Sequence, residues 1–135
     1  MGAGQRTGAL RALALVSGVY DLALALPLLF FAPLLASLLD SPPPVPLVNA
    51  QLNGVFTLTL AAGYFWAARD VQARRGYLWV AGVLAKGLGA AVFVIDHMTR
   101  GSPATFLVFA ATDGTLAVAT LALLGIRRGA DGADS

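Results

Sequence analysis

Three charged residues stand where charge is costly. Asp21, Lys86 and Asp113 each lie inside a long apolar run. A charge near the centre of a bilayer costs at least ~2.5 kcal/mol by insertion scales, so such residues pair with one another or line a polar cavity. Each of the three lies about ten residues, or ~15 Å, along its helix at 1.5 Å per residue, which sets all of them near one level. A side chain that deep cannot snorkel to either surface. Lys86 is therefore expected to face inward and to pair with Asp21, Asp113 or both. Two carboxylates against one ammonium leave a net negative charge. That charge calls for a proton on one acid, a wet cavity, or an incoming cationic group.

Neutral polar residues accompany the charges. Ser17 falls one turn before Asp21, and Tyr20 is adjacent to it. Asn49, Asn53, Thr57 and Tyr64 form one polar stripe along a second apolar stretch. Ser17, Tyr20, Asn53, Thr57 and Tyr64 are the candidate hydrogen-bonding partners of the cluster. Gly82 and Gly89 share a helix face with Lys86, where a neighbouring helix can approach closely. His97 beside Asp96 is too little for a metal site, and no metal is expected. Nothing resembles a serine triad, a phosphate-binding loop or a haem ligand pair. No pattern names a cofactor.

The elements that must position these residues are helices. Apolar stretches at about 10–31, 47–68, 76–95 and 102–126 read as four spans of an all-α integral membrane bundle, up-down-up-down, within a single domain over 1–128. Pro27 falls inside the first helix and would free a carbonyl there. Residues 34–39 extend the apolar run past Pro33, and the proline-rich segment 40–46 reads as an extended loop. RDVQARRG, residues 69–76, reads as a charged turn. Ser102 and Pro103 suit an N-cap and first turn. The tail 129–135 is small and polar.

Of the 135 residues 58% are hydrophobic and 12% charged, the latter about half the usual share of soluble domains. The arginines flank apolar segments and form no dense patch, which argues against nucleic acid as a partner. There is no cysteine, so disulfides and thiolate chemistry are excluded. Arg6 and Arg11 precede an apolar run as in a secretory signal, but Asp21 interrupts it and the run goes on to Leu39, which favours a retained helix. Arg6, Arg11, Arg69, Arg74, Arg75, Arg127 and Arg128 fall on one side of the expected bundle and Arg100 on the other. The positive-inside rule then sets both termini in the cytoplasm.

YDLALALPLLFFAP at 20–33, GYFWAARD at 63–70, RRGYLWVAGVLAKGLG at 74–89 and FAATDGTLA at 109–117 together resemble the small bacterial four-helix membrane proteins of the DoxX-like group. The positions carrying the likeness are Tyr20, Asp21, Tyr64, Arg69, Asp70, Lys86 and Asp113. The resemblance implies a four-helix fold in the bacterial inner membrane. Some proteins of that group are similar to quinone-linked thiosulfate-oxidising subunits or redox accessory proteins.

Three functional classes follow. The chain is read first as a membrane-embedded binding or accessory protein, holding a lipid-like or quinone-like small molecule or a partner subunit at Asp21, Lys86 and Asp113. It is read second as a membrane enzyme using an acid and Lys86 for proton transfer or quinone-linked redox work. The third class is a purely structural subunit. A cavity open to lipid and reaching Lys86 supports the first two, and a dry, tightly paired cluster supports the third.

Overall fold

The computed structural model describes residues 1–125. Ile126, Arg127, Arg128 and the tail 129–135 lie outside the described residues, together with what the sequence suggested of them.

Five helices are described: α1 (Ala3–Phe30), α2 (Ala32–Leu38), α3 (Leu47–Arg69), α4 (Arg75–Arg100) and α5 (Leu107–Gly125), with a short 3₁₀ turn over Ala104–Phe106 before α5. This corrects the four-helix up-down-up-down bundle expected from the sequence, in two ways. First, the apolar run after α1 is a helix of its own. Phe31 leaves helical geometry at φ −136°, and Pro33 sits in the first turn of α2. A proline there cannot continue α1, because its ring opposes the carbonyl one turn back, yet it suits a helix start. Second, among the described residues three helices rather than four are long and apolar enough to cross a membrane: Ala3–Phe30, Arg75–Arg100 and Ala104–Gly125. Asn49, Gln51 and Asn53 reduce the apolarity of α3. The three spanning helices give the chain a multi-pass membrane character. The exposed aliphatic side chains of Val16, Val19, Val80, Leu88, Val92 and Val118 suit lipid contact.

The helices associate as two pairs, α1 with α3 and α4 with α5, and contacts between the pairs are sparser. Missing side chains permit the close approaches. A Cβ on Gly54 would come within 2.7 Å of Leu29 Cγ on α1, and one on Gly82 within 2.9 Å of Thr120 Cγ2 on α5.

One end of the molecule is sealed. Leu10, Tyr64, Ala67, Leu78 and Leu124 pack into one cluster there. It brings the start of α1 and the end of α5 to the same end of the bundle as the 70–74 turn. Tyr77 is the keystone of this end. Its hydroxyl donates to the Leu60 carbonyl at 2.6 Å, and its ring stands edge-on to Tyr64 with centroids 5.5 Å apart. Arg74 lies over the Trp66 ring at 4.4 Å, and Arg75 donates to the Leu124 carbonyl at 2.8 Å.

The opposite end is built differently from the sequence reading. Residues 96–100 lie past the end at residue 95 expected for the third span, yet they continue α4, which stops at Gly101 in the left-handed conformation, φ 68°. Ser102 does not cap a helix; Pro103 precedes the 3₁₀ turn instead. The Thr105 hydroxyl donates to the Leu39 carbonyl, tying that turn to the end of α2.

Candidate functional site

The site begins with a change in helix type. Leu78–Ala85 of α4 is π-helical, and Lys86 is the first α-helical residue after it. A π turn takes in an additional residue, so it resets the direction of side chains beyond it. Gly82, within the π segment, meets Thr120 of α5. Lys86, just past it, reaches across to α1 as well as α5.

Lys86 Nζ lies 2.7 Å from Asp21 Oδ1 and 3.1 Å from Asp113 Oδ1. The three charges form one buried cluster, as their common depth in the sequence suggested. Asp21 is 3% exposed and Lys86 5%, while the Asp113 side chain keeps 16%. The ammonium also lies 4.8 Å from the Tyr20 ring centre and 5.7 Å from that of Tyr64, within the range of cation–π attraction. In a low dielectric a cation held by two carboxylates and two ring faces is well compensated. The carboxylates are less so: Asp21 Oδ2 is buried and has no hydrogen-bond partner. The Tyr64 hydroxyl approaches Ser17, and that of Tyr20 approaches Thr112, but neither contact has full hydrogen-bond geometry.

A cavity of about 630 Å³ reaches the cluster. Its inner end is Tyr20, Asp21, Lys86 and Asp113. From there Leu24, Leu28, Ala32, Leu35 and Leu39 run outward along α1 and α2, facing Asn49, Asn53, Phe56, Thr57 and Leu60 of α3. Pro42, Pro44 and Ser41 border the far end. Phe93, Phe106 and Phe109 complete the wall as a ring cluster, with Phe93 5.6 Å from Phe109 and 6.1 Å from Phe106 between centroids. The space thus has a charged floor and a mainly apolar shaft.

Of the residues expected from the sequence, Tyr20, Asp21, Asn53, Thr57, Lys86 and Asp113 border the cavity. Ser17 and Tyr64 are buried beside the cluster instead. The Thr57 hydroxyl is occupied by its own helix, donating to the Asn53 carbonyl at 2.8 Å. His97 does not border the cavity; its Nδ1 lies 2.6 Å from the Ser102 carbonyl. Among the described residues no group of three or more His, Cys, Asp or Glu is placed to hold a metal. Sequence reasoning set Phe109 on turns related to Asp113 but did not single out Phe93 or Phe106. Their signal is spacing: Phe109 falls one turn before Asp113 and Phe93 two turns after Lys86, but such spacing is ordinary in an apolar helix.

Fold and site define a small helical membrane protein with a buried Asp–Lys–Asp cluster at the floor of a cavity, an arrangement consistent with a binding or accessory role. No family model, curated protein or solved structure matches the chain. The DoxX-like resemblance does not hold. That resemblance implies four spans, whereas the described residues form five helices with three of spanning length and apolarity. The motifs suggesting it are short, mainly apolar runs with a few polar residues or charged flanks, a pattern common to membrane helices in general.

Proposed function

We propose that this protein binds an amphipathic small molecule, with the polar head at Asp21, Lys86 and Asp113 and the apolar body along Leu24, Leu28, Phe93 and Phe109. The observation that carries this reading is the meeting of cavity and cluster. A cluster serving only to fix helix register is better packed dry than set beneath an open shaft. The volume of about 630 Å³ falls within the roughly 300–1,000 Å³ typical of small-molecule sites. Asn53 serves as a polar contact on the wall, Tyr20 and Thr57 border it, and Ser17 and Tyr64 support the floor from behind.

The test is mass-spectrometric profiling of small molecules retained by the detergent-purified protein, with an Ala85→Phe variant alongside. Ala85 borders the cavity beside Lys86, so a ring there occupies the head-group end. A recurrent molecule bound by the parent and lost from the variant is the expected result. No retained molecule in the parent, or equal retention in both, refutes the reading.

The bilayer orientation belongs to the same proposal. Arg6, Arg11, Arg69, Arg74 and Arg75 favour a cytoplasmic sealed end, so the cavity opens toward the outer leaflet. An introduced Gln72→Cys is then labelled only from the cytoplasmic side and Pro43→Cys only from the outside. The reverse pattern overturns the assignment.

A further inference from the structure

The charge balance of the cavity wall names a ligand class. Among the residues that border the cavity, the ionisable ones are Tyr20, Asp21, Lys86 and Asp113. With the phenol neutral, the wall carries two carboxylates against one ammonium. Lys86 spends its charge on both acids at once, through Asp21 Oδ1 and Asp113 Oδ1, and its remaining approaches are taken by the Tyr20 and Tyr64 rings. Asp21 Oδ2 is left buried without a partner. Asp113 is the cluster's most exposed member, with 16% of its side chain open. The site therefore has unused acceptor capacity and unbalanced negative charge in a low-dielectric setting.

Resting on the binding reading above, we infer that the occupant is a monocationic amphiphile, a protonated primary or secondary amine on an apolar body. Its N–H groups meet the partly open Asp113 carboxylate, and its charge balances the wall. A quaternary ammonium brings the charge but no N–H for the Asp113 carboxylate. An alcohol brings a donor and leaves the charge. A carboxylate adds a third negative group to a site that already carries an excess. The body lies against Phe93, Phe106 and Phe109, whose clustered rings offer an apolar surface on the Asp113 side of the cavity.

Three probes with one tail test this: decylammonium, decanol and decanoate, each titrated calorimetrically into the full chain in a nonionic detergent. A hydrogen bond to a charged group corresponds to a preference of about tenfold or more, so decylammonium is expected to bind at least ~tenfold more tightly than decanol, with decanoate weakest. In Asp113→Asn the wall is neutral overall, and the amine is expected to lose most of that preference while decanol binds as before. Partition into micelles is common to parent and variant and drops out of the comparison. Asp21→Asn makes the same change of charge and serves as the second variant. Equal or tighter binding of decanol or decanoate by the parent overturns the amine assignment and leaves the binding cavity standing. So does an amine preference undiminished in both variants. Binding of none of the three by the parent overturns the binding reading itself, and the ligand class with it.

Discussion

Replacing Lys86 by methionine preserves much of the side-chain volume and removes the only cation that Asp21 and Asp113 share. The parent cluster has ion-pair distances of 2.7 and 3.1 Å at sites only 3% and 5% exposed for Asp21 and Lys86. Removing one member of a buried pair typically costs about 3–5 kcal/mol, because the partner is left charged and unsolvated. Here two partners are stranded, and we expect Lys86→Met to fall at the upper end of that range. Asp113→Asn should cost less, about 1.5–3 kcal/mol, since Lys86 retains Asp21 and Asp113 is partly open. The decisive protein is the triple variant Asp21→Asn, Lys86→Met, Asp113→Asn. It has no charge left to strand, and replacing a whole buried ionic group by neutral residues is often nearly neutral for stability. The triple is therefore expected to be more stable than Lys86→Met alone. The assay is reversible unfolding in mixed detergent micelles with increasing SDS, followed through Trp66 and Trp79 fluorescence. A triple variant whose loss equals the sum of the three singles would mean that the residues act independently. A Lys86→Met protein as stable as the parent would refute the reasoning outright.

Close packing between α1 and α3 makes Gly54→Ala costly by about 1–3 kcal/mol, since its Cβ would lie 2.7 Å from Leu29 Cγ and 3.0 Å from the Leu29 backbone nitrogen. The matched control is Gly87→Ala, whose Cβ would sit 3.9 Å from that of Ala117; it should be neutral or stabilising by up to ~1 kcal/mol through helix propensity. Both are read by the same unfolding assay. Tyr77→Phe removes the donor to the Leu60 carbonyl at 2.6 Å and should lose about 0.5–1.5 kcal/mol, with little effect on small-molecule retention because Tyr77 lies outside the cavity wall. Phe109→Ala should instead leave the amine preference in place and shift tail selection toward bulkier amphiphiles, measured by competition among amines of different chain width.

The charged cluster was legible in the sequence for a simple energetic reason. Charge in an apolar run is costly, so Asp21, Lys86 and Asp113 announce themselves, and their equal depth, on α1 and α4 running one way and α5 the other, brings them together. The phenylalanines could not be read in the same way, because an apolar side chain in a membrane helix costs nothing wherever it points. Tyr64 and Ser17 illustrate the limit of helical spacing: it gives the face, but not whether that face meets a cavity or a packed neighbour. The π segment over Leu78–Ala85 carries no composition that marks it, and it shifts Lys86 relative to a regular 3.6-residue repeat. At the other end, Pro33 was visible, but not that the residues around it form a separate helix, which the Thr105 hydroxyl ties to the 3₁₀ turn through the Leu39 carbonyl. The polar stripe of α3 was visible too. Its effect was to lower the helix below the apolarity of its neighbours, a sum over residues rather than a feature of any one.

Asp21 and Lys86 are 65 residues apart in the chain, and this separation bears on biogenesis. During synthesis α1 emerges and meets the translocation machinery well before the lysine exists. Its acid therefore enters the bilayer without a counter-ion and carries an insertion penalty of about 2.5–3.5 kcal/mol until α4 arrives. The lysine is therefore a late-arriving partner that relieves this penalty once α4 is in place. A nascent chain arrested before residue 86 should be held by the insertion machinery or a membrane chaperone, and one arrested past α4 should be released from it.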